Sequence, residues 1–139
     1  GADGIMMATR FLATQESGIH PNIYKTLLEK NETDTVLALK TLLGGLGLQV
    51  RALRNDIIRR IEEVEQGQGE LADLLPLISG ERAKTVWKEG NAEEAMLTIG
   101  QSVGRITDIP SVRDLVPRIM DEARAALRSA LEKIGAEGS

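Results

Sequence analysis

The stretch MMATRF, residues 6–11, carries the residue types that can hold an anion. An apolar run that ends in a small residue, then Thr, then a helical turn, aims backbone N–H groups at a phosphate, as at the C-terminal ends of α/β-barrel strands. Ala8 lets the anion come close, and Thr9 can add a hydroxyl hydrogen bond. Met7, Ala8 and Thr9 are therefore the candidate ligand-binding residues. A strand-to-helix turn with no ligand is the structural alternative, because small residues suit any tight turn.

Little else in the sequence is equipped for catalysis. His20, the single histidine, precedes Pro21 at a helix start and has no nucleophile indicated beside it. It is expected to face solvent rather than to act as a base. Carboxylates are spread as Glu–Arg and Glu–Lys pairs over helix faces, the pattern of a solvated surface. There is no HxxxH, no Walker loop and no dinucleotide fingerprint. Cysteine is absent, which removes a thiol nucleophile, a disulfide framework and a Cys-based metal site. No catalytic residue and no metal ligand is assigned. Gly100 and Gln101 in GQSVG are weaker candidates on the substrate side, with close helix packing as the other reading of the glycine. Arg51, Arg54 and Asn55 in RALRN could clamp an acidic substrate group or salt-bridge to a neighbouring helix.

The elements that must position these residues are mostly helical. Gly4–Met7 is expected to be a short buried strand, with a buried helix start as the alternative. Helices are expected from Pro21, with Ile23, Leu27 and Leu28 on one face, and from Arg51, with Leu53, Ile57, Ile58, Ile61 and Val64 at helical spacing. Two shorter helices follow, around Leu71–Leu77 and in GERAKTVWKEG. Asn91 with Glu94 forms a capping box that predicts a helix from Ala92 carrying Met96, Ile99, Val103 and Ile106. Gly100 and Gly104, four apart, would let a neighbouring backbone approach. Ser111 with Asp114 caps a last helix over about 112–134, kinked at Pro117, with Leu115, Ile119, Ala123, Ala126 and Leu127 inward. The stretch TVLALKTLLGGLGLQV stays open: Thr35–Leu39 suits strand or helix, and Gly44, Gly45 and Gly47 interrupt what precedes them. One short strand followed by five or six helices results. A lone strand cannot satisfy its own backbone, so a sheet elsewhere is implied.

Composition bounds the function classes. A chain of 139 residues has room for one domain, and a formal charge of −4 argues against broad nucleic-acid binding. No apolar stretch approaches the roughly 18 residues of a membrane span, and no secretory leader is visible, so a cytoplasmic protein is expected. Phe11, Tyr24 and Trp87 are the only aromatic residues. Aliphatic side chains must therefore build the core, and exposed apolar faces would favour self-association.

Taken in order, GADGIMMATRFLATQES, HPNIYK, TDTV, VRALRN, KEGNAEEA and GQSVGRITDIPSV resemble the nitronate monooxygenase family, formerly 2-nitropropane dioxygenases, which includes the flavin-dependent enoyl-ACP reductase II. Members typically carry GADGVQMGTRFLATEES, HPxYK and GQxxGxIxDIxPV. The matches run from Gly1 to about Leu115. The resemblance implies a predominantly α chain forming the C-terminal part of an FMN-binding TIM barrel oxidoreductase, of which it would be roughly the last two-fifths. Residues 1–15 would be the last barrel strand and phosphate-binding turn, and residues 16–139 a helical region beside the barrel. Ala8 and Thr9 would give backbone contacts to the FMN phosphate, with Met7 beside the flavin site. The substrate would be an alkyl nitronate oxidised with O₂ or, in the reductase branch, an enoyl thioester reduced through NAD(P)H. The first seven strands, a Gly-rich phosphate loop and the family's catalytic His would precede Gly1. The partner is then the remainder of the barrel, and the chain alone is expected to be inactive. Ala8 stands where the family usually has Gly, and Met6 where it has Gln. A self-contained helical interaction module without catalysis is the competing expectation.

Overall fold

In a computed structural model, residues 3–41, 48–67 and 69–136 are described, and helices dominate them. Helix α1 is one turn, Thr9–Leu12, and α2 covers Pro21–Glu29. Strands β1 (Thr35–Ala38) and β2 (Val50–Leu53) precede α3 (Asp56–Gln66), α4 (Leu71–Leu74), α5 (Gly80–Glu89) and the long α6 (Val112–Ala136). Short 3₁₀ turns lie at Gln15–Ser17, Glu32–Asp34 and Gln101–Arg105.

The strands pair antiparallel, with Thr35 opposite Leu53, Val36 opposite Ala52, Leu37 opposite Arg51 and Ala38 opposite Val50. Alternate residues of a strand point to opposite faces. One face, with Val36, Ala38, Val50 and Ala52, packs against an apolar cluster that includes Ile57, Ile58 and Ile61 of α3 together with Leu74 and Leu77. The other face sends Leu53 into a second cluster with Ile23, Leu27, Val86, Leu97, Ile99 and Val103. Thr35–Leu39, open in sequence, is thus largely strand.

Four expectations are corrected. Gly4–Met7 is not a strand; Ile5 is 74% and Met6 98% exposed. Strand pairing needs a neighbour, and no described segment lies alongside to bond this backbone. The helix expected from Arg51 begins at Asp56, because Asn55 caps it by accepting the Ile58 N–H at 3.0 Å, while 51–53 belong to β2. No helix starts at Ala92. Asn91 Nδ2 does donate to Glu94 Oε1 at 2.7 Å, but the signal closes only a turn, and Leu97–Gly100 then runs irregularly, with the Leu53 N–H donating to the Leu97 carbonyl at 2.9 Å. Finally, α6 buries Leu115 and half-buries Ile119, but Ala123, Ala126 and Leu127 are exposed, since no described residue covers that face. Gly44, Gly45 and Gly47 lie outside the described residues.

A further correction concerns His20, expected to face solvent: it is half-buried, and its role is structural. Its Nδ1 accepts the Asn22 N–H at 3.1 Å as the cap of α2, and its N–H donates to the Trp87 carbonyl at 2.8 Å. Its ring lies where a side chain at Gly90 would stand, and Gly90 has φ +82, which ends α5 in the left-handed region. Gly104 is a close-approach glycine, as the sequence suggested: an added Cβ would come within 2.8 Å of the Glu32 nitrogen.

Polar contacts fasten residues 10–16 to the far end of the chain. Arg10 donates to the Ala13 and Asp108 carbonyls, both at 2.8 Å, and to Asp108 Oδ1 at 3.2 Å. Arg118 of α6 reaches both oxygens of the same carboxylate, at 2.6 and 3.1 Å. The Gln15 N–H donates to the Pro110 carbonyl, and the Glu16 carboxylate caps α6 by accepting the Val112 N–H at 2.9 and 3.0 Å. The hydrogen bond from Arg118, with help from both guanidinium charges, holds the Asp108 carboxyl below its ordinary value of 3.8, although desolvation opposes the shift.

Two predictions follow from these contacts. Asn55, 1% exposed, donates to the Ala92 and Ala95 carbonyls at 2.7 Å each besides capping α3. Asn55→Ala removes the cap and strands two carbonyls, so chemical denaturation should show a loss of roughly 2–4 kcal/mol. For Asp108, a folded-state pKa below the unfolded one means that its contribution is present above the unfolded value and lost as pH falls through the folded one. The urea midpoint of the unmodified chain should therefore exceed that of Asp108→Asn by a constant amount above pH about 5, with the gap closing below the ordinary carboxyl value of 3.8.

Candidate functional site

The turn at Ala8 is built by short-range geometry. Ala8 has φ −114, a value any L residue adopts, so the position does not require glycine. It precedes a helical turn whose N–H groups at Thr9, Arg10 and Phe11 have no partner within so short a helix. The Leu12 N–H closes the turn on the Ala8 carbonyl at 3.0 Å. Ala8 is exposed, whereas Thr9 is buried, at 8% exposure.

Burying a threonine hydroxyl calls for a partner, and Thr9 finds one 91 residues away: its Oγ1 accepts the Gly100 N–H at 2.9 Å. A hydroxyl offers one donor and two lone pairs. With a lone pair already taken by Gly100, the Thr9 O–H remains to donate. The bond brings Met7, Ala8 and Thr9 beside Gly100 on one cavity of about 420 Å³, within the range of roughly 300–1,000 Å³ typical of small-molecule sites. A Cβ at Gly100 would stand 3.5 Å from Thr9 Oγ1 and 3.8 Å from Ser102 Oγ, so the glycine leaves open the space between two hydroxyls.

Gln101 is exposed and does not line this cavity, although it is next to Gly100 in the chain. Three polar lining residues were not singled out from sequence as site residues: Arg10, Thr98 and Ser102. Thr98 is exposed between buried Leu97 and Ile99, an alternation that a helical reading of 92–106 hides. Of the RALRN trio, Asn55 is wholly structural and Arg54 is exposed, while Arg51 lines the cavity and donates to Thr35 Oγ1 at 3.2 Å. None of the cavity-lining residues is acidic. A second hollow of about 410 Å³, on the other side of Met7 and Arg10, lies against α6 and includes Asp108 and Glu122. Among the described residues no group of three or more His, Cys, Asp or Glu could hold a metal, and no helix is long and apolar enough to cross a membrane.

The whole arrangement is that of a larger group of proteins. In the solved structure of FabK from Thermotoga maritima, 94% of this chain superposes on 40% of that chain with a TM-score of 0.77 and 26% sequence identity. A probable nitronate monooxygenase of Bacillus subtilis is 29% identical over 122 residues, covering 88% of this chain and 34% of that protein. A (3aS,4S,5R,7aS)-5-hydroxy-7a-methyl-1-oxo-octahydro-1H-indene-4-carboxyl-CoA dehydrogenase of Rhodococcus jostii is 25% identical over 159 residues, covering 88% of this chain and 44% of that protein. The chain thus spans less than half the length of these relatives. The sequence profile of nitronate monooxygenase matches residues 1–122, and the chain belongs to the nitronate monooxygenase family.

Proposed function

We propose that this chain is the C-terminal part of a cytoplasmic, FMN-dependent oxidoreductase, and that the turn Met7–Ala8–Thr9 holds the phosphate of FMN. The observation that carries the reading is the bond between Thr9 Oγ1 and the Gly100 N–H. It joins the two candidate segments at a cavity that has three hydroxyl-bearing side chains, Thr9, Thr98 and Ser102, and no carboxylate. That donor set fits an anion. The gap at Gly100 and the small side chain of Ala8 leave the room that a phosphate needs. When bound, FMN supplies the electron transfer. The chain's own part is to bind and orient: free first-turn N–H groups and the Thr9 hydroxyl face the phosphate, and Arg10, tied to Asp108, fixes the turn that presents them.

In the same reading, residues 1–15 end the barrel and residues 16–139 pack beside it. Gly4–Met7 becomes a strand once neighbouring strands are present to pair with it. The remainder of the barrel then covers the apolar face formed by Ile5, Met7, Phe11, Val116, Ile119 and Met120, which border a hollow of about 210 Å³. The substrate is an alkyl nitronate oxidised with O₂. The superposition on FabK favours a second reading, in which NAD(P)H reduces the flavin and an enoyl thioester accepts the hydride. Gly100, bonded to Thr9, stands at the phosphate end of the cavity in either case, and Gln101, exposed and outside the lining, has no part in this reading.

Three measurements test this. Mixing the chain with FMN should leave flavin fluorescence unquenched at micromolar concentrations, because it holds only half of the proposed phosphate site; micromolar affinity would contradict the division. In the longer enzyme that carries this chain, Thr9→Val should weaken FMN binding by about tenfold or more, the loss of one charge-assisted hydrogen bond of roughly 1.5–3 kcal/mol. O₂ uptake with nitronates against NAD(P)H oxidation with enoyl thioesters separates the two activities, and failure of both would sink the assignment. Exposed Leu127, Leu131 and Ile134 on α6 should also drive self-association of the isolated chain. Sedimentation should then report a mass that rises with concentration and returns to about 15.1 kDa in a Leu127→Glu/Leu131→Glu variant.

A further inference from the structure

The cavity at Thr9 holds a cation that the turn itself does not call for. Arg51 stands on β2 opposite Leu37, on the strand face it shares with Thr35 and Leu53 and away from the cluster that takes Val50 and Ala52. It is half-buried, and its NH1 donates to Thr35 Oγ1 at 3.2 Å, a neutral acceptor. A guanidinium has five N–H donors, so most of its capacity is unused. Several arginines of the chain have no carboxylate partner among the described residues, but only Arg10 and Arg51 line this cavity, and of these two Arg51 is the one without such a partner. Arg10 brings its charge to the cavity already matched by Asp108. An unmatched positive charge therefore faces a cavity without carboxylates, in a chain whose net charge is −4.

We propose that Arg51 is a ligand-binding residue: it neutralises a phosphate group held in this cavity, together with the Thr9 hydroxyl. The inference rests on the phosphate reading of the turn and adds what backbone N–H groups lack, a full counter-charge in a fork that matches two phosphate oxygens. Register decides it. A slip of one residue between β1 and β2 would turn Arg51 into the apolar cluster around Ile57 and Ile61.

The test is NMR on the ¹⁵N-labelled chain, titrated with inorganic phosphate at constant ionic strength, with chloride as control. The amides of Thr9 and Gly100 and the Arg51 Nε–H should move with one common midpoint. Arg51→Gln should raise that midpoint about tenfold or more, and Arg51→Lys, which keeps the charge without the fork, by less. At millimolar concentration, well above the micromolar range in which half a site does not hold the cofactor, FMN should compete with phosphate and riboflavin should not. No phosphate binding by the unmodified chain, a stationary Arg51 Nε–H, or an unchanged midpoint in Arg51→Gln would each overturn the proposal; the Nε–H readout needs no variant and so survives a substitution that fails to fold. Phosphate binding that needs Arg51 but excludes FMN would keep the arginine site and overturn the flavin reading. FMN binding that Arg51→Gln leaves untouched would do the reverse.

Discussion

Thr9 and Arg10 are held to chain segments 91 and 98 residues away by side-chain contacts, Thr9 to the Gly100 N–H and Arg10 to the carbonyl and carboxylate of Asp108. The rest of the site depends on that closure. Without it α1 would be one isolated helical turn, far below the length at which a helix is stable by itself. Closing so long a loop costs entropy, but the cost grows only with the logarithm of its length. The polar contacts can meet it because an apolar core already brings the distant segment near: Val103 and Ile106 are buried with Ala13 and Ile23 in one cluster. Hydrophobic packing sets the neighbourhood, and the directional bonds set the position of the turn within it.

The strand pair plays a comparable part for the other wall of the cavity. Four residues on each side are a short ladder, yet the two faces differ sharply in what they meet. One face is committed to the aliphatic cluster under α3, so the register cannot slip without exposing alanines and valines and burying a guanidinium. The same commitment holds Arg51 on the cavity side. Asn55 then ties the end of β2 to the 91–96 turn through the Ala92 and Ala95 carbonyls, which sets Leu97–Gly100 alongside. Packing, register and one buried amide thus converge on the position of Gly100.

Much of the helical framework was legible in the sequence. Pro21 at a helix start, the apolar spacing of Ile57, Ile58 and Ile61, and Ser111 with Asp114 each mark an element that forms, because caps and 3.6-residue periodicity are local properties. The capping signal at Asn91 misled because a cap satisfies backbone donors without supplying the apolar stripe that makes propagation worthwhile; Leu97 and Ile99 alternate instead. In α6 the stripe is present, but inward facing was inferred from pattern alone. A helix face is buried only where something covers it, and Leu127 is 67% exposed. The small-residue turn was visible in Met7, Ala8 and Thr9, whereas Gln101 was carried along by its proximity to Gly100.

By itself, then, the sequence determined the caps, the helices with clear periodicity, the anion-suited residues of the turn and, through the order of its motifs, the family. Those depend on residue type at short range. Only the tertiary structure decided that Thr35–Ala38 and Val50–Leu53 are strands, that Gly4–Met7 is not one here, and that Thr9, Gly100 and Arg51 share a cavity. The reason is the nature of a strand. A helix closes its hydrogen bonds within itself, but four apolar residues become a strand only when another segment arrives to take theirs, and nothing local announces the partner.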